Sequence, residues 1–175
     1  SNEVSVIADI TAPANTPPVA DAGGDASTTV GSIVNLDGSA SSDDDSDSLT
    51  YSWIFSSVAT GSSLSDSDIS SANSATPSFT PDVVGSYVLE LTVSDGKGGS
   101  DIDTVTITAN KLSASLTLTN TSQTYTGAAI AVTVIPSVQG LNLGVVYRNS
   151  TGSEIPGPTE VGIYYVTATI DDVNY

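Results

Sequence analysis

A chain of 175 residues with 38% hydrophobic content can bury one large core or two small ones, and it is too apolar to be a disordered acidic tail. Twenty acids against three bases, Lys97, Lys111 and Arg148, give a formal charge of −17, which repels nucleic acid and anionic membrane surfaces alike. The absence of histidine excludes the usual general base at neutral pH, and the absence of cysteine excludes disulfides and thiolate metal sites.

Short β-branched runs alternate with Gly, Ser and Asp turns and no long helical period appears, so the expected class is all-β. No signal peptide or long apolar run is present. Membrane insertion is therefore not expected, and the chain reads as an excised piece of a longer protein. Residues 3–11 read as a strand cut off by the proline-rich segment from Ala12 to Pro18, and hence as a leftover of a preceding module over residues 1–12. Short strands follow at Val19 to Asp21 and Ser32 to Leu36.

From Leu49 the apolar residues Leu49, Tyr51, Trp53 and Phe55 fall at every second place, the period of a strand with one buried face. Trp53 is thus expected in the core rather than as an exposed sugar platform. Residues 56–76 are rich in Ser, Ala and Asp and are expected as short strands and loops on the solvent side. Strand text resumes at residues 77–82 and again from Gly85, where Tyr87, Leu89, Leu91 and Val93 share a face. A glycine turn, Asp95-Gly96-Lys97-Gly98-Gly99, and a strand from Asp101 to Thr108 close the first unit.

The second unit, residues 112–175, carries strand text near 116–119, 129–135, 144–147 and 162–170. Gly162, Tyr164, Val166, Ala168 and Ile170 repeat the frame of Gly85, Tyr87, Leu89, Leu91 and Val93. In immunoglobulin-like sandwiches a tyrosine at the start of a late strand anchors a corner through its hydroxyl, so two consecutive sandwiches are expected. The second is expected to present an unpaired edge because its closing strand is lacking. Tyr165 should face away from Tyr164, and with Tyr125, Tyr147 and Tyr175 it is the candidate for a sugar or protein contact.

The densest acid cluster precedes the Trp53 strand. Asp43, Asp44, Asp45 and Asp47 make six pairwise repulsions of about 0.7 kcal/mol each at roughly 6 Å in water, on the order of 4 kcal/mol together. Either the loop splays into solvent or a hard divalent cation, with calcium the natural candidate, sits among the oxygens. An EF-hand is rejected, because counting from Asp43 puts Ser48 where that loop needs glycine and Ile54 where it needs glutamate. A glycosidase working by paired carboxylates is not expected either, since the aspartates lie in tight loops without an apolar pocket.

Residues 13–109 resemble the bacterial PKD family of immunoglobulin-like modules. The matching text is Asn15-Thr16-Pro17-Pro18-Val19-Ala20-Asp21-Ala22-Gly23, Leu36 to Asp43, Leu49 to Trp53, Phe79 to Asp82, and Leu91 to Gly98. The departures are Ser46, where relatives carry glycine, and Trp53-Ile54-Phe55-Ser56-Ser57 in place of a Trp-Asp-Phe-Gly-Asp-Gly hairpin. Residues 112–175 are similar to the MBG modules of bacterial surface proteins, through Gln123 to Gly127, Gly162 to Tyr164, Ala168 to Ile170 and Asn174-Tyr175. In PKD relatives that hold calcium, the resemblance implies ligands at Asn15, Thr16, Asp43, Asp45 and Asp95. It further implies a non-enzymatic module of a secreted or surface-anchored protein, acting as a calcium-rigidified spacer or adhesive surface. Its partners would be neighbouring repeat modules and, beyond them, a polysaccharide or a surface protein. The alternative is an accessory carbohydrate- or protein-binding module of a secreted hydrolase.

Overall fold

The protein is described here by a computed structural model, covering residues 14–122, 131–172 and 174–175. The strand expected at residues 3–11 lies outside them. Six strands make the first unit: β1 (Ala26–Thr29), β2 (Val34–Asn35), β3 (Thr50–Ser57), β4 (Ser78–Phe79), β5 (Gly85–Ser94) and β6 (Ser100–Asn110). The larger sheet runs β1-β6-β5-β3, and β2 pairs with β4 across the core from it.

Alternation explains the central strand. Tyr87, Leu89, Leu91 and Val93 on β5 are all completely buried, as the period of two requires. Trp53 from β3 and Val105, Ile107 and Ala109 from β6 extend the same face, and Val34 and Phe79 of the smaller sheet, with Leu36 just past β2, close it from the other side. Full burial of each large side chain contributes about 1.5–3 kcal/mol. Phe79 meets Phe55 edge to face at 5.2 Å and lies 5.7 Å from Tyr87. The indole N–H of Trp53 donates to the Ser74 carbonyl at 3.1 Å, so its one polar atom is satisfied in the core.

Residues 56–76 depart from the sequence expectation. Beyond Ser57, where β3 ends, no further strand forms before β4, only a 3-10 turn at Asp66–Asp68, and the segment is not confined to solvent. Ala59 and Ile69 are buried in the core, and the Trp53 amide donates to the Ala72 carbonyl at 2.9 Å. Irregular backbone thus lies along the free edge of β3, where the Ser-rich composition carried no period to reveal it. Strand β1 was also not expected: Ala-Ser-Thr-Thr has no alternation, and its pairing with β6 is parallel and remote, Ala26 with Ile107 through Thr29 with Asn110.

Ahead of β1 the chain runs beside β6 without a backbone ladder, and carboxylates bridge the gap. Asp101 accepts the Ala20 amide at 2.9 Å and Asp103 the Ala22 amide at 2.8 Å, while Asp25 accepts the Thr106 amide at 2.8 Å. Val19 and Ser42 exchange backbone bonds of 2.7 and 3.0 Å. These contacts fix the incoming segment at one pole of the module.

The second unit holds β7 (Leu116–Thr119), β8 (Thr133–Pro136), β9 (Leu143–Arg148), β10 (Glu154–Ile155) and β11 (Tyr165–Ile170). β7 pairs with β8, and β9 lies between β10 and β11. Among the described residues β11 pairs only with β9. β11 starts at Tyr165 rather than Gly162, and β8 at Thr133; residues 129 and 130 lie outside the described set. The tyrosine repeat holds in detail. Tyr87 donates its hydroxyl to the Val83 carbonyl at 2.8 Å, and Tyr164 donates to the Glu160 carbonyl, also four residues upstream, at 3.0 Å. Tyr165 is 59% exposed, facing away from Tyr164. The architecture is all-β, two consecutive immunoglobulin-like sandwich units.

Candidate metal centre

Two loops and the incoming segment converge at the pole that Val19 and Ser42 pin. The acidic loop is folded by its own side chains: Asp43 accepts the amides of Asp45 and Asp47 on one carboxylate oxygen, Oδ1, at 2.9 and 3.1 Å. The chain turns back at Ser46, whose φ of +62° is the left-handed conformation a glycine would adopt freely. The loop shape survives the loss of that glycine, at a cost in backbone strain. Its three alternate aspartates, Asp43, Asp45 and Asp47, place one carboxylate oxygen each within 4.8 Å of one another.

The β5–β6 turn supplies the other wall. Asp95 is 4% exposed, and its Oδ1 accepts the amides of Lys97 at 2.7 Å and Gly99 at 2.9 Å. Its Oδ2 accepts the Asn15 side-chain amide at 2.7 Å. That bond, opposed by desolvation and joined by the two amides, holds the Asp95 carboxyl below its ordinary value. Gly99 is required here, since a Cβ would collide with Asp95 Oδ2 and stand 2.8 Å from the Pro17 Cα.

Asn15 thus touches Asp95, and the next residue, Thr16, donates its amide to Asp45 at 2.6 Å. The five residues named from the sequence form one connected cluster, running from Asp95 through Asn15 and Thr16 to Asp45 and Asp43. Asp95 belongs to it through Asn15 and is not part of the carboxylate triad. Asp44 points to solvent and takes no part in the triad. Two members were missed. Asp47 completes the triad, and the Lys97 ammonium sits 3.0 Å from its Oδ1. The Asp47 hydrogen bond, followed by its charge, raises the Lys97 ammonium above its ordinary value. Alternation of 43, 45 and 47 was the available signal for Asp47; pairing across fifty residues left none for Lys97.

The cluster fits a hard cation on two counts. Two oxygens bound to one calcium at about 2.4 Å lie at most about 4.8 Å apart, and the triad satisfies that bound. Asp43 Oδ2 is buried and has no hydrogen-bond partner. A carboxylate oxygen removed from water without a partner costs free energy, and a cation is what would offset it. The oxygens the structure gathers for a cation are those of Asp43, Asp45 and Asp47, while Asn15, Thr16 and Asp95 join them through the hydrogen bonds described above.

Residues 22–109 match the family model for a PKD domain, half of the chain, and residues 114–175 match the model for an MBG domain. The chain belongs to the PKD family. PKD and MBG modules are non-catalytic families that typically occur in extracellular or surface proteins. Among solved structures, the chain is similar to a nucleoside hydrolase-related hypothetical protein from Saccharophagus degradans that is associated with carbohydrate metabolism. The two are 30% identical over 55% of this chain and 26% of that one, with a TM-score of 0.48. The PKD domain from KIAA 1837 protein is 30% identical over 57% of this chain and 91% of its own, with a TM-score of 0.43. A Dscam structure determined for isoform specificity is 13% identical over 90% of this chain and 39% of its own, at a TM-score of 0.40. No curated protein matches the chain. The PKD module carries the whole candidate centre except Asn15 and Thr16, which lie ahead of the matched residues. No helix among the described residues is long and apolar enough to cross a membrane.

Proposed function

We propose that this chain is a non-enzymatic extracellular module of a bacterial surface protein, a spacer with an adhesive surface, stiffened by calcium at the pole where the preceding segment enters. The observation that carries the calcium part is Asp43 Oδ2, buried and unpartnered inside a carboxylate triad. Asn15 and Thr16 belong to the joint with whatever precedes the PKD module. Held to the same ion as Asp43, Asp45 and Asp95, they tie that joint to two loops and stop it swivelling. The partners are then neighbouring repeat modules of the same protein. The absence of enzyme activity is supported by the titration of the acids. A glycosidase acid must stay protonated near neutrality, whereas among the described residues the carboxyls with a shifted titration, Asp37, Asp82, Asp95 and Asp101, are all shifted downward.

Calorimetric melting in calcium and in chelator tests the reading. At a hundredfold excess over its dissociation constant the ion adds about 2.7 kcal/mol, roughly 10 °C or more in Tm for a domain of this size. Identical melting curves in calcium and chelator refute the site. A second reading, an accessory module docking on polysaccharide or protein, is favoured by the exposed group Val161, Ile163 and Tyr165, at 81%, 73% and 59%. A glycan array separates the two, since a pure spacer binds nothing on it.

A further inference from the structure

The triad has a resident cation of its own, and the turn that presents Asp95 delivers it. Lys97 is the only base ahead of Lys111, in a chain of twenty acids and three bases. Its amide is pinned to Asp95 Oδ1 at 2.7 Å, so the turn fixes Asp95 and the root of the Lys97 side chain together. The ammonium lands on Asp47, whose side chain is only 20% exposed, and whose backbone amide is held by Asp43. Asp47 is thereby the one member of the triad with its carboxylate engaged by a cation, while Asp43 Oδ2 beside it has no partner.

Resting on the calcium reading above, we infer that Lys97 is a built-in competitor for the metal, withholding Asp47 from the ion and setting its affinity. In the calcium-free protein the ammonium offsets part of the repulsion among the carboxylates. With calcium bound it stands near a double positive charge and weakens binding. For charges of +1 and +2 about 6–8 Å apart in water, Coulomb's law gives a loss of roughly six- to tenfold in affinity. Removing the ammonium frees Asp47 to join the ligands, which adds to that gain. The Lys97 side chain is itself 61% exposed, so the pair is screened by salt and the effect is largest at low ionic strength.

The test is calcium titration calorimetry on the full chain at low ionic strength, so that screening does not hide the effect. The variants are Lys97→Gln, Lys97→Arg and Asp47→Asn, the last in both the wild-type and the Lys97→Gln backgrounds. Lys97→Gln should tighten calcium roughly six- to tenfold or more, and Lys97→Arg should stay within twofold of wild type. Asp47→Asn should cost more affinity in the Lys97→Gln background, where Asp47 is available to the ion, than in the wild type. Melting gives an independent readout: Lys97→Gln should melt below wild type in chelator and above it in saturating calcium. If the wild type takes up calcium but Lys97→Gln binds equally or more weakly, the competitor role is overturned and the site stands. If neither protein takes up calcium, the site itself falls and this inference with it.

Discussion

Acid unfolding of this protein should be governed in good part by one carboxylate at the far corner of the PKD module. Burial pushes the Asp82 carboxyl up, but the Ser62 hydroxyl at 2.6 Å, the Ser63 amide at 2.8 Å and the Ser63 hydroxyl at 3.0 Å outweigh it, helped by the Tyr87 hydroxyl at 3.0 Å, whose proton is shared with the Val83 carbonyl. The net result is a carboxyl lowered from 3.8 to about 2. At about 1.4 kcal/mol per pH unit, and discounted for the solvent that reaches this group, that lowering is worth about 1 kcal/mol of folding free energy. The sign follows from the direction: a carboxyl lowered in the folded state contributes its full stability above pH 3.8 and loses it as pH falls toward 2. Asp82→Asn should therefore cost about 1 kcal/mol at pH 7, with the gap to wild type closing between about pH 4 and pH 2. Urea unfolding followed by fluorescence of Trp53, the sole tryptophan and 1% exposed, measures both proteins at each pH. Because other lowered carboxyls, Asp37, Asp95 and Asp101, titrate in both proteins, the difference between the curves isolates Asp82. A gap that stays constant from pH 7 to pH 2 would refute the assignment and reduce Asp82 to a packing residue.

Two further outcomes test the calcium pole through its backbone. Ser46→Gly relieves a left-handed serine at φ +62°, and should raise stability by about 0.5–1 kcal/mol in chelator, read by the same urea assay; a loss would mean that the serine side chain holds the loop. Gly99→Ala drives a methyl into Asp95 and the Pro17 backbone, so it should weaken calcium binding at least tenfold in titration calorimetry while the unfolding slope in urea stays unchanged; unaltered affinity would show that Asp95 and the incoming segment play no part in holding the ion.

Strands with one buried face announce themselves locally. The alternation of Tyr87, Leu89, Leu91 and Val93 was sufficient to place all four in the core, and Trp53 beside them, because a pleated strand sends successive side chains to opposite faces whatever its neighbours are. The tyrosine corner was legible for a similar reason: both hydroxyls reach carbonyls only four residues upstream, within the same stretch of text. Asp43 and Asp45 were visible as members of a crowded acidic loop, and family resemblance singled them out together with Asn15, Thr16 and Asp95.

Tertiary structure alone decided the features made by remote partners. β1 exists because β6 lies alongside it some eighty residues later, and Ala59 and Ile69 are buried because an irregular segment covers the edge of β3. No periodicity encodes either, since the stabilising contacts lie outside the segment that makes them. The same holds for the metal pole. Charge crowding in the loop was apparent from four nearby aspartates, but whether Asp95 and Asn15 meet it, which oxygen of Asp43 is left without a partner, and that Lys97 reaches Asp47 depend on how three separated stretches of backbone are brought to one end of the sandwich.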